Sequence, residues 1–414
     1  MKNNELIPHL FRKEYSRLVS VLVKVFGFEE METAEDIAGE TFLSAAETWP
    51  CRGIPENPSA WLYAAAKNKA RNYLVRQNIF RDKIMKKMAE GEKTFEPAFE
   101  FSEDVIKDSQ LRMLFAVCHP SVSAESRICL ALKVLCGFST DEIADAFLTN
   151  RETVHKRLQR GKEKLRSEKI EMIIPENSDL AERMESVLRT LYLFFSEGYY
   201  SQSHSSNIRE DLCLEAMDLN AMLLENQLTS THSANALMSL MFFQASRLKA
   251  RRSGNGETVL YEEQDRNLWD NGFIEKGFYY LQQASKWETA SKYYIEACIA
   301  YWHTVKDEPE DKWMNILKLY DILAEIDPSP SVSLNRIYAL SKVKGNQAAL
   351  SEAERLDFPD SHFYFILLAE LYRGTDLRKS VHCLGKAMEI CRTDSEKMLI
   401  LKKMKILENS VSVK

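Results

Sequence analysis

Glycine and proline are scarce in this chain, at 14 and 11 of 414 residues, which argues against a fold built on many tight turns. Apolar residues recur at spacings of three and four rather than two, so an all-α fold is expected. No apolar run approaches ~18 residues, which argues against a membrane-spanning helix. The opening MKNNELIPHLFRKEY also lacks the apolar core of a secretory signal. A cytoplasmic protein with no membrane partner is therefore expected. Cys51, Cys118, Cys129, Cys136, Cys213, Cys298, Cys383 and Cys391 show no CxxC spacing. Most read as reduced core residues, with a zinc site at Cys118 and His119 the lesser alternative. No residue set matches a catalytic or metal-binding constellation. The expectation is a protein that is not an enzyme and uses no cofactor and no metal.

The chain is acidic, with a net charge of −6, yet residues 151–169 carry eight Lys/Arg against three Glu. This stretch closes the segment STDEIADAFLTNRETVHKRLQRGKEKL. It reads as a first helix capped by Ser139 or Thr140, a break at Leu148-Thr149-Asn150, and a second helix capped by Asn150. Ile143, Ala144 and Phe147 form the inner face of the first helix, and Val154, Leu158 and Leu165 that of the second. The short turn, the small Ala144 at the crossing and the cations on the second helix alone point to a helix-turn-helix that enters a major groove. A solvated amphipathic helix is the plainer alternative.

Upstream, residues 9–27 form an amphipathic helix. Next comes an acidic one from Thr33 to Trp49, with Thr33 as its cap, within a stretch (29–56) that holds eight acids against Arg52 alone. A third helix starts at Pro58 or Ser59 and continues basic to Lys87, with eight Lys/Arg against one Asp from Lys67 onward. Trp61, Tyr63, Tyr73 and Phe80 are interleaved with these cations. That combination suits single-stranded nucleic acid, because phosphates meet the cations and unstacked bases lie on the rings. Trp61 and Tyr73 fit equally well as core residues. Residues 88–108 hold seven acids against Lys93 and Lys107 and read as an extended acidic linker.

The order AEDIAGETFLSAAETW (34–49), NPSAWLYAAAKNKARNYLVR (57–76), linker, then helix-turn-helix (139–165) resembles a bacterial RNA polymerase sigma factor of the extracytoplasmic-function type. The resemblance implies sigma region 2 at 8–87, the linker at 88–108 and sigma region 4 at 109–169. It implies docking on core RNA polymerase, at the clamp coiled coil through Asp36, Glu40, Thr41 and Phe42, and also at the flap. It places capture of the melted minus-ten promoter DNA on Trp61, Tyr63, Lys67, Asn68, Arg71, Asn72, Arg76 and Gln77. It places minus-35 recognition on the second helix, with Arg151, Thr153, His155 and Lys156 toward base edges and Arg157, Arg160 and Lys164 toward phosphates.

A typical factor of that type would end near Ile170, whereas this chain continues for ~240 residues beyond a boundary at 171–179. The phrases LYLFFSEGYYSQSHS, REDLCLEAMDL and LYEEQDRNLWDNGFIEKG, with Cys118-His119-Pro120, resemble a sigma subgroup bearing a large helical C-terminal extension, here 180–414. From about residue 312 its helix pairs look like degenerate tetratricopeptide repeats, with turns at Gly345-Asn346 and Gly374. Such arrays present a concave surface to a protein or peptide partner. The cluster Glu262, Glu263, Gln264, Asp265, Arg266 and Trp269 is expected to cap a helix and pair with Arg251 or Arg252 across the Ser253-Gly-Asn-Gly loop. Two rival functions are a helix-turn-helix regulator acting on duplex DNA alone and a protein-binding scaffold. The first leaves the acidic and aromatic helices unexplained, and the second leaves both basic helices so.

Overall fold

A computed structural model describes residues 3–85, 99–147, 149–176, 178–200, 206–251, 259, 261–286, 291–306, 309–391 and 394–411. The expected linker from 88 to 98, Leu148 of the turn, and Arg252 with its Ser253 loop lie outside the described residues. Among those described the fold is all-α, with no strand. The chain divides into two compact units, Met1–Gly198 with Leu214–Leu223, and Tyr199–Cys213 with Leu224–Lys414.

The first unit begins with α1 (Asn3–Phe26), α2 (Met31–Arg52) and α3 (Pro58–Met85). Leu18, Val19, Leu22, Val23, Ala38, Ala45 and Leu62 are fully or almost fully buried among them, which is what the spacing of three and four anticipates. Helix α2 starts two residues before the anticipated Thr33 cap, and the Thr33 hydroxyl instead donates to Glu30 Oε2 at 2.8 Å. Asn57 Oδ1 accepts from Ala60 N and closes the start of α3.

Then follow α4 (Glu103–Val117), α5 (Ala124–Leu130) prolonged by a π-turn at Ala131–Leu135, α6 (Thr140–Ala146) and α7 (Arg151–Ser167). Residues 103–108 are therefore helical and not part of the linker. Its C-terminal end is anchored too, since Phe99 is buried with its ring edge-on to Phe26. Helix α8 (Ser178–Tyr200) packs on this assembly through Arg183, which donates to the Phe115 carbonyl at 2.9 Å. Ser186 accepts from Arg127 and donates to the Cys118 carbonyl at 2.6 Å. The anticipated boundary at 171–179 is a true break between helices, but compact packing continues past it to Gly198.

The second unit takes up part of α9 (Ser206–Glu225), then α10 (His232–Ala245), α11 (Asn271–Ala284), α12 (Lys292–Thr304), α13 (Lys312–Ile326), α14 (Pro330–Lys344), α15 (Asn346–Ala353), α16 (His362–Tyr372), α17 (Leu377–Ile390) and α18 (Asp394–Val411). From α12 onward each helix packs on its neighbours in the chain. The cores of α14 to α18 merge around Leu350, Leu367, Leu371, Leu384 and Ile400. Gly345, at φ 82, reverses the chain between α14 and α15 in a conformation that L side chains rarely adopt.

Candidate nucleic-acid interface

The α6–α7 pair is built from two well-formed caps. Ser139 Oγ accepts from Glu142 N at 3.1 Å while Glu142 Oε2 accepts from Ser139 N at 2.8 Å, and Asn150 Oδ1 accepts from Thr153 N at 2.7 Å. Burial first pushes the Glu142 carboxyl up. The Ser139 bonds and the Arg12 guanidinium outweigh it and hold the group below the usual carboxylate range. Val154, Leu158 and Leu165 point inward, and Gly161 lets α7 approach α5: a Cβ there would lie 2.7 Å from Leu130 Cδ1.

On the outer side, Arg151, His155, Lys156 and Arg160 are exposed, and Thr153, Arg157 and Lys164 half-buried. The charges there are only loosely engaged. Arg151 lies 3.6 Å from Asp141, Lys156 donates to Glu152 at 2.7 Å and Lys164 to Glu168 at 2.5 Å. Exposed pairs of this kind are screened by water and contribute little. The N-terminal half of α7 thus presents an exposed basic surface.

Helix α3 is different. Lys67, Asn68, Arg71, Asn72, Arg76 and Gln77 are exposed, as expected. Trp61, Tyr63 and Tyr73 are half-buried and engaged, while the side chain of Phe80 lies outside the described residues. Trp61 stands edge-on to Trp49 at 5.5 Å, and the Tyr73 hydroxyl donates to Glu30 Oε2 at 2.8 Å. Tyr63 donates to the buried Glu14, accepts from Arg17 Nη1 at 3.0 Å, and has one ring face covered by Phe101 at 5.2 Å and 7°. Burial, and then the bond to Glu14, push its hydroxyl well above the ordinary tyrosine range, so Tyr63 stays neutral and donating.

In α2, Asp36 and Glu40 are exposed, while Thr41 and Phe42 are not available to a partner in this structure. Thr41 Oγ1 donates to the Ile37 carbonyl at 2.7 Å, and Phe42 packs edge-on to Phe11 at 4.9 Å. A helix turns about 100° per residue, so a run of motif residues must divide between inside and outside. Leu43, 58% exposed between Glu40 and Glu47, is an apolar residue that α2 turns outward. Apolar spacing predicts a buried stripe of Ile37, Phe42, Leu43 and Ala46, but Leu43 and Ala46 are exposed, so no signal in the sequence marks Leu43 as outward-facing.

The acidic cluster of the second unit pairs differently from expectation. Glu262 Oε1 accepts from Lys342 at 2.8 Å and from the Tyr338 hydroxyl at 3.0 Å, and Glu263 Oε2 from Lys402 at 2.8 Å. These carboxylates tie a short helical turn to later helices that local spacing does not reveal. Asp265 caps a 3₁₀ turn through Asn267 N, as anticipated for a capping role, and Trp269 is buried. Cys118 is fully buried, its thiol pushed up to about 12 by burial, and His119 Nδ1 is engaged by Ser121. Among the described residues no group of three or more His, Cys, Asp or Glu could hold a metal ion, and no helix is long and apolar enough to cross a membrane.

Three sequence families match the chain: Sigma-70 region 2 over residues 10–79, Sigma-70 region 4 over 112–165, and a family of unknown function (DUF6596) over 183–285. An uncharacterized protein, R00370, of Rhizobium meliloti (strain 1021) is 32% identical over 362 residues, which covers 85% of each chain. No solved structure matches.

Proposed function

We propose that this chain, which belongs to the same family as the Rhizobium protein and carries sigma-70 regions 2 and 4 ahead of a C-terminal extension, binds core RNA polymerase and directs it to a two-part promoter. The observation that carries this reading is the pairing, in an acidic chain, of two exposed cationic helix faces on the two matched modules. These are Lys67, Arg71 and Arg76 on α3, and Arg151, Lys156 and Arg160 on α7. Fixed duplex is read by α7 and the melted strand is captured by α3.

The clamp coiled coil meets α2 at Asp36, Glu40 and Leu43, where acids suit a basic surface, and region 4 meets the flap. The factor is of the extracytoplasmic-function type, acts in the cytoplasm and is not itself an enzyme, since strand separation needs only binding energy. The extension completes or regulates initiation, with a tetratricopeptide-like array from α13 onward presented to a protein or peptide. The bonds of Arg183 and Ser186 to the carbonyls of Phe115 and Cys118 support a completing role, because they make α8 part of the packing around region 4.

Run-off transcription with purified core polymerase on a genomic promoter library tests the reading. Discrete transcripts that depend on the full chain are expected. Tight duplex binding with no polymerase association and no transcripts would replace it with that of a regulator acting on duplex DNA alone.

A further inference from the structure

Helix α17 carries its charges the wrong way round for a helix. Arg378 and Lys379 occupy its first turn, where the positive end of the helix dipole favours acids, and its one acid, Glu389, stands in the last turn, where cations are favoured. In α14 the order is the usual one, with Lys342 and Lys344 at the end. Several other cations of the second unit are also held by carboxylates. Arg336 lies 2.6 Å from Asp321 and 2.5 Å from Glu352, Lys402 2.8 Å from Glu263, and Lys403 3.2 Å from Glu370. Arg378, Lys379 and Lys386 meet no carboxylate among the described residues. Lys379 and Lys386 stand instead over the rings of Tyr372 and Phe365, at 5.0 and 5.4 Å.

Ser380, Cys383, Leu384 and Ala387 are buried, while Arg378, Lys379, His382 and Lys386 are exposed, so the cations share the outer side of the helix. That side has a gap in its middle. Gly385 lies inside the helix, where glycine weakens it, yet a Cβ there would meet nothing within 4 Å. Gly161 and Gly277 differ, because a Cβ on either would lie 2.7 Å from Leu130 or Phe243, so close packing within the fold accounts for them. No neighbour in the fold accounts for Gly385 among the described residues. A positive face that lacks a side chain at its centre admits an anionic backbone at close range.

The chemistry of this face suits the phosphates of duplex DNA better than an acidic protein or a single strand. A protein partner is anchored by a cluster of large aromatic side chains, and the row Arg378, His382, Gly385 and Lys386 holds none. A single strand stacks its bases on open rings, whereas Tyr372 and Phe365 lie under lysine ammonium groups. From Arg378 to Lys386 the helix rises ~12 Å, the axial length of roughly three phosphates of one strand. Contacts to phosphates need no base edge.

Resting on the sigma reading above, we propose that the exposed face of α17 is a third DNA-binding surface, which holds the phosphate backbone of duplex outside the two promoter elements without reading its sequence.

Fluorescence anisotropy of a dye-labelled, mixed-sequence duplex of about 40 base pairs, titrated with the full chain over a range of potassium chloride, tests it. Arg378→Glu with Lys379→Glu and Lys386→Glu is expected to weaken binding about tenfold or more and to lower the slope of log affinity against log salt by about three. The thermal midpoint should hold or rise, since acids then meet the positive end of the dipole. Gly385→Gln is expected to weaken binding severalfold, also without loss of midpoint. Duplex affinity and salt slope that ignore the triple reversal overturn the third surface. So does a triple variant that loses core polymerase at unchanged duplex affinity, which would make the face a protein-docking one. Run-off transcription keeps the two readings apart. Weakened duplex binding by the triple variant supports the third surface even where the unaltered chain makes no transcripts, a result that overturns the sigma reading alone.

Discussion

Helices α3 and α7 carry the same kind of charge and stand in opposite states of readiness. In α7 the apolar residues form one inward stripe, and Arg151 and Lys156 of the basic N-terminal half are held by weak exposed pairs. In α3 the cations are exposed but the rings that would accept bases are bonded to Glu14, Glu30 and Arg17 or covered by Phe101. Duplex is a fixed ligand that a preformed surface can meet. A melted strand exists only after opening, so under the proposed function its receptor on α3 would be assembled at that moment. Covering the rings until then also keeps apolar surface out of water.

The sharpest way to separate the two helices is to reverse charge on one. Lys67→Glu with Arg71→Glu is expected to cut run-off transcription on the order of a hundredfold, as phosphate contacts become repulsive, while duplex binding to the minus-35 element stays within about twofold. A parallel loss in both assays would erase the distinction.

Gly161→Val tests the packing beneath α7, where a Cβ already meets Leu130. It should destabilise the fold by about 2 kcal/mol, seen as a lower thermal midpoint, because an overfilled crossing must shift. Arg151→Ala should weaken minus-35 duplex binding about tenfold with no change in that midpoint, since the residue is exposed and its pair with Asp141 is long.

The smallest effect expected is that of Glu142→Gln. The folded carboxyl titrates below its unfolded value, so its contribution is present above the unfolded pKa and is lost as pH falls through the folded one. The group is 38% exposed, which screens the interaction. The variant should therefore be less stable by under ~1 kcal/mol at neutral pH, with the difference vanishing in acid unfolding once the folded carboxyl is protonated.

The helix-turn-helix was legible because its determinants are local. Ser139 and Glu142 are three residues apart, Asn150 and Thr153 likewise, and the inward stripe follows the helical period. The acidic helix α2 was legible as an element but not residue by residue, since Thr41 and Phe42 turn inward and Leu43 outward. The partners of Glu262 and Glu263 were misread because Lys342 and Lys402 lie 80 and 139 positions away in the chain.

By itself the sequence determined the all-α fold, the charge of each module, the caps of α6 and α7 and the order of the modules. All of these follow from spacings of three and four residues and from local charge. Tertiary structure alone decided that Tyr63 is covered, that Lys162 meets Glu35, and that α8 belongs with the packing around region 4. The reason is physical. Helix periodicity specifies which face is buried, but not which of many compatible faces, brought together across more than a hundred residues, will bury it.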